Sequence, residues 1–171
     1  MDPEKIAKII TKKTKAIIPV HLYGQSCCMD KIIKIAKKYN IKVIEDCAQA
    51  QGALFNKKKV GNFGVTGCFS FYPTKILGAY GDGGFITTND ESIYQETKIL
   101  RNHGLVDRNT VEHFGYVSRM DNLQASILNY RAEKLSYTIQ KRRQIAEIYF
   151  ENLLDFIPKG YVLRLPGGGH L

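Results

Sequence analysis

The chain has 171 residues, of which 44% are hydrophobic and 24% charged, enough for one domain with a sizeable core. It contains no apolar run of membrane-spanning length, and its lysine-rich start lacks the apolar region of a signal peptide. We therefore expect a cytoplasmic protein without a membrane partner. The net charge of +9 comes mostly from lysines at helical spacings, which indicates solvated helix faces rather than a nucleic-acid interface.

The first part of the chain predicts a strand–helix–strand unit. Apolar residues at helical spacing predict a helix over residues 4–13, followed by a strand over 15–20. A second amphipathic helix is predicted over 30–39 and a strand over 42–44. This order predicts a parallel pair of strands. Ligands of open α/β sheets lie outside the carboxyl ends of the strands, which places the segment 45–51 near a ligand.

The predicted elements then become shorter, until a long helical region begins near Asp121. That region runs to about Leu154 with a break near Ser136, and Leu123, Ile127 and Leu128 share its predicted buried face. The elements before it are an exposed hairpin tip over 55–60 that carries three lysines, strands over 68–71 and 85–88, a helix capped by Asp90, and an irregular segment over 101–118.

The four cysteines fit neither a disulfide framework nor a zinc site. Cys27 and Cys28 are adjacent, and no pair has C-x-x-C spacing. Cys47 and Cys68 have apolar or small neighbours, so we expect them to be buried small hydrophobic residues. The sequence therefore predicts no metal site.

A lysine stands in a glycine-rich loop between two of the predicted strands. Pro73 ends the strand over 68–71, Lys75 follows it, and four glycines lie within 78–84. Such a loop lets the backbone approach a ligand closely. A lysine held there could bind a phosphate as a point charge or form a Schiff base. For an isolated lysine, a surface position beside a turn is the commoner outcome.

Four polar residues in chain order would serve one cofactor. Asp46 and Gln49 follow a predicted parallel strand, Ser70 ends another, and Lys75 lies in the glycine-rich loop. Pyridoxal phosphate has a basic ring nitrogen, a phosphate and an aldehyde, which would use a carboxylate, a hydroxyl and an amine. Each residue also has a simpler explanation: Asp46 as a strand-end cap, Gln49 as an exposed polar residue, and Ser70 as a core hydroxyl bonded to the backbone.

Five stretches of the chain, over roughly residues 15–155, closely resemble the nucleotide-sugar aminotransferases of the DegT/DnrJ/EryC/StrS type. They read PVHLYGQ, VIEDCAQAQGA, FSFYPTK, GAYGDGGFITTND and RMDNLQASIL. The resemblance implies an α/β fold, part of the large domain of the aspartate-aminotransferase (PLP fold type I) fold, with a mainly parallel or mixed sheet flanked by helices. C-terminal helices would lead to a truncated small domain. Residues 1–157 would be the partial large domain with its connecting helices, and 158–171 an irregular tail.

The resemblance also implies a role for each candidate residue. The residue matching Lys75 forms the Schiff base with the cofactor and then moves a proton. The match to Asp46 pairs with the ring nitrogen, and the match to Ser70 binds the phosphate. The match to Gln49 lies by the phenolic oxygen, and Ala48 falls where a small residue packs on the ring. Relatives with histidine at the lysine position act as dehydratases, so Lys75 argues against that branch.

The implied reaction moves an amino group from an amino acid, most often glutamate, to a keto nucleotide-sugar in cell-surface or secondary-metabolite sugar biosynthesis. The family usually builds its site at a homodimer interface, so a homodimer is expected for a complete protein. Many members carry an asparagine that reaches the neighbouring subunit's cofactor phosphate, and this chain has Val117 there. Valine cannot make that hydrogen bond.

Two other functions remain open from the sequence. The family's proteins extend well beyond this chain on both sides, so the chain could be a non-catalytic remnant or a fragment that needs a complementing partner. It could also be a nucleotide-binding α/β module with GAYGDGG as its phosphate loop. That loop is the weaker alternative because it does not lie between a strand and a helix.

Overall fold

The computed structural model of the protein describes residues 1–153, so the predicted tail over 158–171 lies outside the described residues. Helices flank a mixed sheet, as predicted. The elements in chain order are α1 (Pro3–Ile9), β1 (Ala16–Ile17), α2 (Met29–Lys38), β2 (Lys42–Asp46), β3 (Leu54–Phe55), β4 (Lys58–Lys59), β5 (Thr66–Ser70), β6 (Gly84–Thr87), α3 (Glu91–Leu100), α4 (Asn122–Glu133) and α5 (Leu135–Leu153).

The main sheet has four strands in the order β1-β2-β5-β6. Strand β2 lies between β1 and β5 and is parallel to both, which confirms the predicted parallel unit. Strand β6 is antiparallel to β5, with Ser70 opposite Gly84. Strands β3 and β4 form a separate antiparallel hairpin. The carboxyl ends of β2 and β5 therefore meet at one edge of the sheet.

Helices α1 and α2 cover the β1–β2 side of the sheet around one hydrophobic cluster. Asp2 caps α1 by accepting a hydrogen bond from Glu4 N at 3.0 Å, and Pro3 occupies a first-turn position where its missing N–H is harmless. In α2 the buried residues recur at helical spacing while the lysines face outwards. The cluster contains Ile6, Ile17, Cys27, Met29, Ile32, Ala36, Val43 and Phe55.

Several predicted boundaries differ from the structure. Helix α1 ends at Ile9 because Ile10 has an extended backbone, and the helical break comes at Lys134 rather than near Ser136. The hairpin itself lies in the predicted range 55–60: residues 56–57 form its tip with positive φ, and Lys58 and Lys59 form β4. The predicted buried face of α4 is wrong at Leu123, which is 72% exposed, whereas Leu128 is buried.

Helix α5 has little of its surface covered by the described part of the chain. Leu135 packs against the cluster formed by Phe71, Leu77, Ala79 and Leu128. Further along, Ile145, Ile148 and Tyr149 are exposed. No helix in residues 1–153 combines the length and apolarity needed to cross a membrane.

Replacing Gly67 by alanine is expected to lower the free energy of unfolding by about 2–3 kcal/mol. A Cβ at Gly67 would overlap the Gly61 Cα and lie 2.7 Å from the Gly61 carbonyl oxygen. Because both neighbours are backbone atoms, the two segments would have to separate. Gly83→Ala is the matched control, since a Cβ there lies 3.5 Å from its nearest neighbours. Urea denaturation followed by circular dichroism measures both variants, and equal stabilities would contradict the expectation.

Candidate active site

Asp46 and Ser70 end the two neighbouring parallel strands β2 and β5. In the strand register Asp46 is opposite Cys68, and the Cys47 N–H donates to the Cys68 carbonyl oxygen at 2.8 Å. The predicted carboxylate and hydroxyl therefore lie at the same edge of the sheet, where open α/β sheets bind ligands.

Backbone hydrogen bonds fix the end of β2 against the segment that follows β1. Asp46 N donates to the Pro19 carbonyl oxygen at 2.9 Å, and His21 N donates to the Asp46 carbonyl oxygen at 3.0 Å. The half-buried Asp46 side chain accepts one hydrogen bond through Oδ1, from Ala48 N at 3.0 Å. Asp46 thus caps its own loop, as its simpler explanation requires, while Oδ2 has no partner within the described residues.

Gln49 has its amide orientation set by a backbone contact. Its Oε1 accepts a hydrogen bond from Tyr23 N at 2.9 Å. Tyr23 has φ 55 and ψ 27, a left-handed conformation that costs a residue with a side chain about 1 kcal/mol or more. Because Oε1 is occupied, the polar group that Gln49 can offer to a ligand is its Nε2, as a hydrogen-bond donor.

Ser70 and Lys75 are joined through the backbone of Tyr72. Ser70 Oγ accepts a hydrogen bond from Tyr72 N at 3.1 Å, so its hydroxyl hydrogen can still donate to a ligand. Lys75 N donates to the Tyr72 carbonyl oxygen at 2.9 Å. The Lys75 side chain is half-buried, and its ammonium group has no hydrogen bond or ion pair with the described residues. A lysine in this position keeps its amine available.

The five predicted residues lie on segments at one edge of the sheet, with no direct hydrogen bond between their side chains within residues 1–153. Ala48 lies half-buried between Asp46 and Gln49 in the chain. Within residues 1–153, the side chains leave one carboxylate oxygen, one amide NH2 group, one hydroxyl hydrogen and one amine without a hydrogen-bond partner. This set of groups fits pyridoxal phosphate.

Glu45, which the sequence interpretation left without a role, is the most heavily hydrogen-bonded side chain near the site. It is fully buried and accepts four hydrogen bonds. Oε1 accepts from Phe63 N at 2.6 Å and Gly64 N at 2.8 Å. Oε2 accepts from Gly61 N at 2.7 Å and from His21 Nε2 at 3.1 Å. Burial opposes the charge on Glu45, but these hydrogen bonds outweigh it and lower the pKa of the carboxyl group.

His21 links Glu45 to the segment that follows β1. Its Nδ1 accepts a hydrogen bond from Cys27 N at 3.1 Å, while Nε2 donates to Glu45. Burial opposes a charged ring, whereas the Cys27, Cys47 and Glu45 side chains raise the pKa of His21. The Cys27 hydrogen occupies the place that an Nδ1 proton would take, so charging the ring would break that bond. Although the pKa of His21 is raised to about 11, the hydrogen bond from Cys27 N requires a lone pair on Nδ1, and we assign the neutral ring with its proton on Nε2.

His21, Glu45 and Cys47 have ligand-type atoms within 4.8 Å of one another, but their hydrogen bonds oppose a metal centre. A metal on Nε2 would move the ring proton to Nδ1, which faces the Cys27 N–H. Burial also raises the pKa of the Cys47 thiol and so favours its protonated form. The cluster is better described as a buried support that holds residues 20–25 and 61–64 against the end of β2.

The sequence did contain a signal for Glu45. Residues alternate faces along a strand, so Glu45 shares a face with the buried Val43. A carboxylate on a buried face requires partners, which here come from residues remote in the chain. Gln51 is a second missed residue: it is buried, and its Nε2 donates to the Ser70 carbonyl oxygen at 2.5 Å.

A pocket of about 220 Å³ lies beside these residues, between the segment that follows β2 and helix α5. Gln49 and Ile76, the residue after Lys75, belong to its wall. Gln51 and Tyr23 also line it, and α5 contributes Ile139, Arg142, Arg143 and Ala146.

The mixed α/β sheet flanked by helices has the fold of the PLP fold type I aminotransferases, as solved structures of that class show. The model of the DegT/DnrJ/EryC1/StrS aminotransferase family matches residues 1–165. The chain belongs to this family, which confirms the resemblance seen in its motifs.

Curated relatives and solved structures agree with the family. The chain is 53% identical over 153 residues to the dTDP-3-amino-3,6-dideoxy-alpha-D-galactopyranose transaminase of Aneurinibacillus thermoaerophilus, covering 90% of the chain and 42% of the relative. It is 46% identical over 161 residues to the UDP-N-acetyl-3-dehydro-alpha-D-glucosamine 3-aminotransferase of Acidithiobacillus ferrooxidans, covering 94% and 42%. The structure of NtdA from Bacillus subtilis with bound cofactor PMP matches with a TM-score of 0.87 at 39% identity, covering 94% of this chain and 37% of that one.

The fold prediction is confirmed by these structural matches: the chain has part of the PLP fold type I architecture. It spans about two-fifths of the length of the curated relatives it matches.

Proposed function

We propose that this chain forms the cofactor-binding part of a pyridoxal-phosphate-dependent aminotransferase that acts on nucleotide-linked keto sugars. The observation that carries the proposal is Lys75, whose amine has no partner within residues 1–153 and stands in the loop following the strand edge with Asp46 and Ser70. The cofactor would supply an aldehyde that binds amines covalently and a ring that withdraws electrons.

The chain's own groups have distinct tasks in this proposal. Lys75 would hold the cofactor through its amine and would serve as the group that moves a proton at the substrate carbon. The free Asp46 oxygen holds a proton on the ring nitrogen. Gln49 donates its Nε2 hydrogen to the phenolic oxygen, and the Ser70 hydroxyl donates to the phosphate. Ala48 leaves room for the ring face.

The substrates proposed are an amino-acid donor, taken to be glutamate, and a keto nucleotide-sugar. The dTDP- and UDP-sugar relatives support the second substrate. A cytoplasmic homodimer is proposed as well, without nucleic-acid or membrane partners. These assignments concern the whole protein, and the chain spans 42% of the length of the Aneurinibacillus relative.

A second candidate function is a non-catalytic fragment that depends on a complementing chain. Two observations favour it. The chain spans 42% of the Aneurinibacillus relative, and Val117, which is 69% exposed, replaces the family's asparagine. The nucleotide-binding alternative gains no support, because the glycine-rich loop leads into β6 rather than into a helix.

Lys75 is expected to be the residue that captures pyridoxal phosphate. The purified chain is mixed with the cofactor, reduced with borohydride and mapped by peptide mass spectrometry, with Lys75→Ala as control. The expected result is one adduct per chain at Lys75 that is absent from the variant, and a visible absorption band that glutamate bleaches. Labelling scattered over surface lysines, without preference for Lys75, would refute the cofactor site and favour the non-catalytic fragment.

A further inference from the structure

The loop that carries Lys75 closes on itself through backbone contacts. Lys75 N donates to the Tyr72 carbonyl oxygen at 2.9 Å, and Ala79 N donates to the Phe71 carbonyl oxygen at 2.7 Å. A Cβ on Gly78 would lie 2.8 Å from the Tyr72 carbonyl oxygen, so the far side of the loop is in backbone contact with the residues that precede Lys75. A movement of the far side would therefore be transmitted to Lys75.

Helix α4 contacts the far side of this loop through Gln124 and Leu128, which lie one turn apart on the same face. Gln124 Oε1 accepts a hydrogen bond from Tyr80 N at 2.8 Å. A Cβ on Gly81 would lie 2.9 Å from Gln124 Nε2, so the amide group lies directly against the loop backbone. Leu128 is buried in one cluster with Ala79. This face of α4 thus combines a hydrogen bond to the loop with apolar packing.

The hydrogen bond from Tyr80 N is the one side-chain hydrogen bond that residues 76–83 make within the described part of the chain. Glycines in this stretch let its backbone adopt many conformations. Tyr80 is 78% exposed, so without Gln124 its N–H would bond to water and the fold would lose little stability. The hydrogen bond is therefore suited to holding the loop in one conformation rather than to stabilising the whole chain.

We propose that Gln124 is a positioning residue for Lys75. By accepting the hydrogen bond from Tyr80 N, its side chain holds the glycine-rich loop against α4 and so keeps the Lys75 amine in place at the carboxyl edge of the sheet. The inference rests on the proposed function, since it names the residue that fixes the proposed cofactor-binding amine.

Two substitutions at position 124 separate the hydrogen bond from the volume of the side chain. Gln124→Met keeps the length of the side chain but replaces the amide by a thioether, which is a weak acceptor. Gln124→Glu keeps an oxygen acceptor for Tyr80 N. Gln144→Met makes the first change at an exposed position of α5 and is the matched control. Circular dichroism of each variant verifies the fold.

Two readouts need no cofactor. Exchange of the Tyr80 amide hydrogen, followed by nuclear magnetic resonance, is expected to be about fivefold faster in Gln124→Met than in the native chain, the effect of one lost hydrogen bond. Acetylation of the half-buried Lys75 by an amine-reactive ester, relative to the exposed Lys141, is also expected to be faster, because a released loop exposes the amine. Gln124→Glu and Gln144→Met are expected to leave both rates close to native.

The third readout is the concentration of pyridoxal phosphate that gives half-maximal borohydride-trapped adduct at Lys75. This concentration is expected to rise about fivefold in Gln124→Met and less than about twofold in Gln124→Glu and Gln144→Met. Rescue by the glutamate variant would show that the oxygen atom, rather than the shape of the side chain, positions the lysine.

Native rates of Tyr80 exchange and Lys75 acetylation in Gln124→Met would overturn the inference. Equal effects of Gln124→Glu and Gln124→Met would overturn it as well, because they would assign the effect to packing. Cofactor capture that does not respond to Gln124→Met would refute this inference alone. A native chain that captures no cofactor at Lys75 would refute the proposed function, while the two cofactor-free rates would still decide whether Gln124 positions Lys75.

Discussion

Replacing Glu45 by glutamine is expected to lower the free energy of unfolding by about 3–5 kcal/mol. Each carboxylate oxygen of Glu45 accepts two hydrogen bonds, and all four donors are N–H groups. Glutamine has one oxygen and one NH2 group. In either orientation of the amide, the NH2 group would face two buried N–H groups that now donate to a carboxylate oxygen. Backbone donors cannot rotate away, so one orientation leaves Gly61 N without its partner and the other leaves Phe63 N and Gly64 N without theirs.

Urea denaturation followed by far-ultraviolet circular dichroism measures this loss. Glu133→Gln, the same substitution at an exposed helical position, is the control and is expected to change stability by less than about 0.5 kcal/mol. Equal stabilities of Glu45→Gln and the native chain would show that the buried support contributes nothing to the fold.

The pH dependence of this difference follows from the lowered pKa of Glu45. A carboxyl group whose pKa is lower in the folded state contributes its full stabilisation at pH values above its pKa in the unfolded chain, about 4.3. This stabilisation is lost as the pH falls towards the pKa in the folded state. The gap between the native chain and Glu45→Gln should therefore be largest near neutral pH and shrink in acid. A gap that widened in acid would contradict the assigned direction.

The local parts of the fold were predictable because they depend on short-range periodicity. The capped start of α3 at Asp90 and the parallel β1–α2–β2 unit both follow from patterns within a few residues. Leu123 was misplaced because a helical pattern does not reveal which face has a partner. Within the described residues Leu123 is exposed, whereas Leu128 of the same predicted face is buried.

The sequence predicted the residues of the candidate site that offer reactive groups to a ligand. It did not predict the buried residues that hydrogen-bond to one another and hold the site in place. Asp46, Ser70 and Lys75 could be chosen from residue type, position at strand ends and the glycine-rich loop. The support of Glu45 comes from His21, which precedes it by 24 positions, and from the turn over 61–64. Only the folded chain brings those segments together, so residue type and spacing could not identify the partners.

Converting Gln49 to glutamate is expected to weaken capture of pyridoxal phosphate at Lys75 about 100-fold while leaving the fold stable. One carboxylate oxygen would keep the hydrogen bond from Tyr23 N, now made at 2.9 Å to the amide oxygen. The other would replace Nε2, setting a negative acceptor against the phenolic oxygen of the cofactor. A factor of 100 corresponds to about 2.7 kcal/mol, a typical cost for a lost hydrogen bond to a charged group.

The measurement is the cofactor concentration that gives half-maximal borohydride-trapped adduct at Lys75. Gln140→Glu, which makes the same change of charge at an exposed position of α5, controls for the lower net charge. It is expected to shift the half-maximal concentration less than twofold. Circular dichroism of Gln49→Glu, in which the hydrogen bond from Tyr23 N is expected to persist, separates a loss of capture from unfolding. Unchanged capture would instead show that the amide hydrogens of Gln49 point away from the cofactor, and the phenolic oxygen would need another donor.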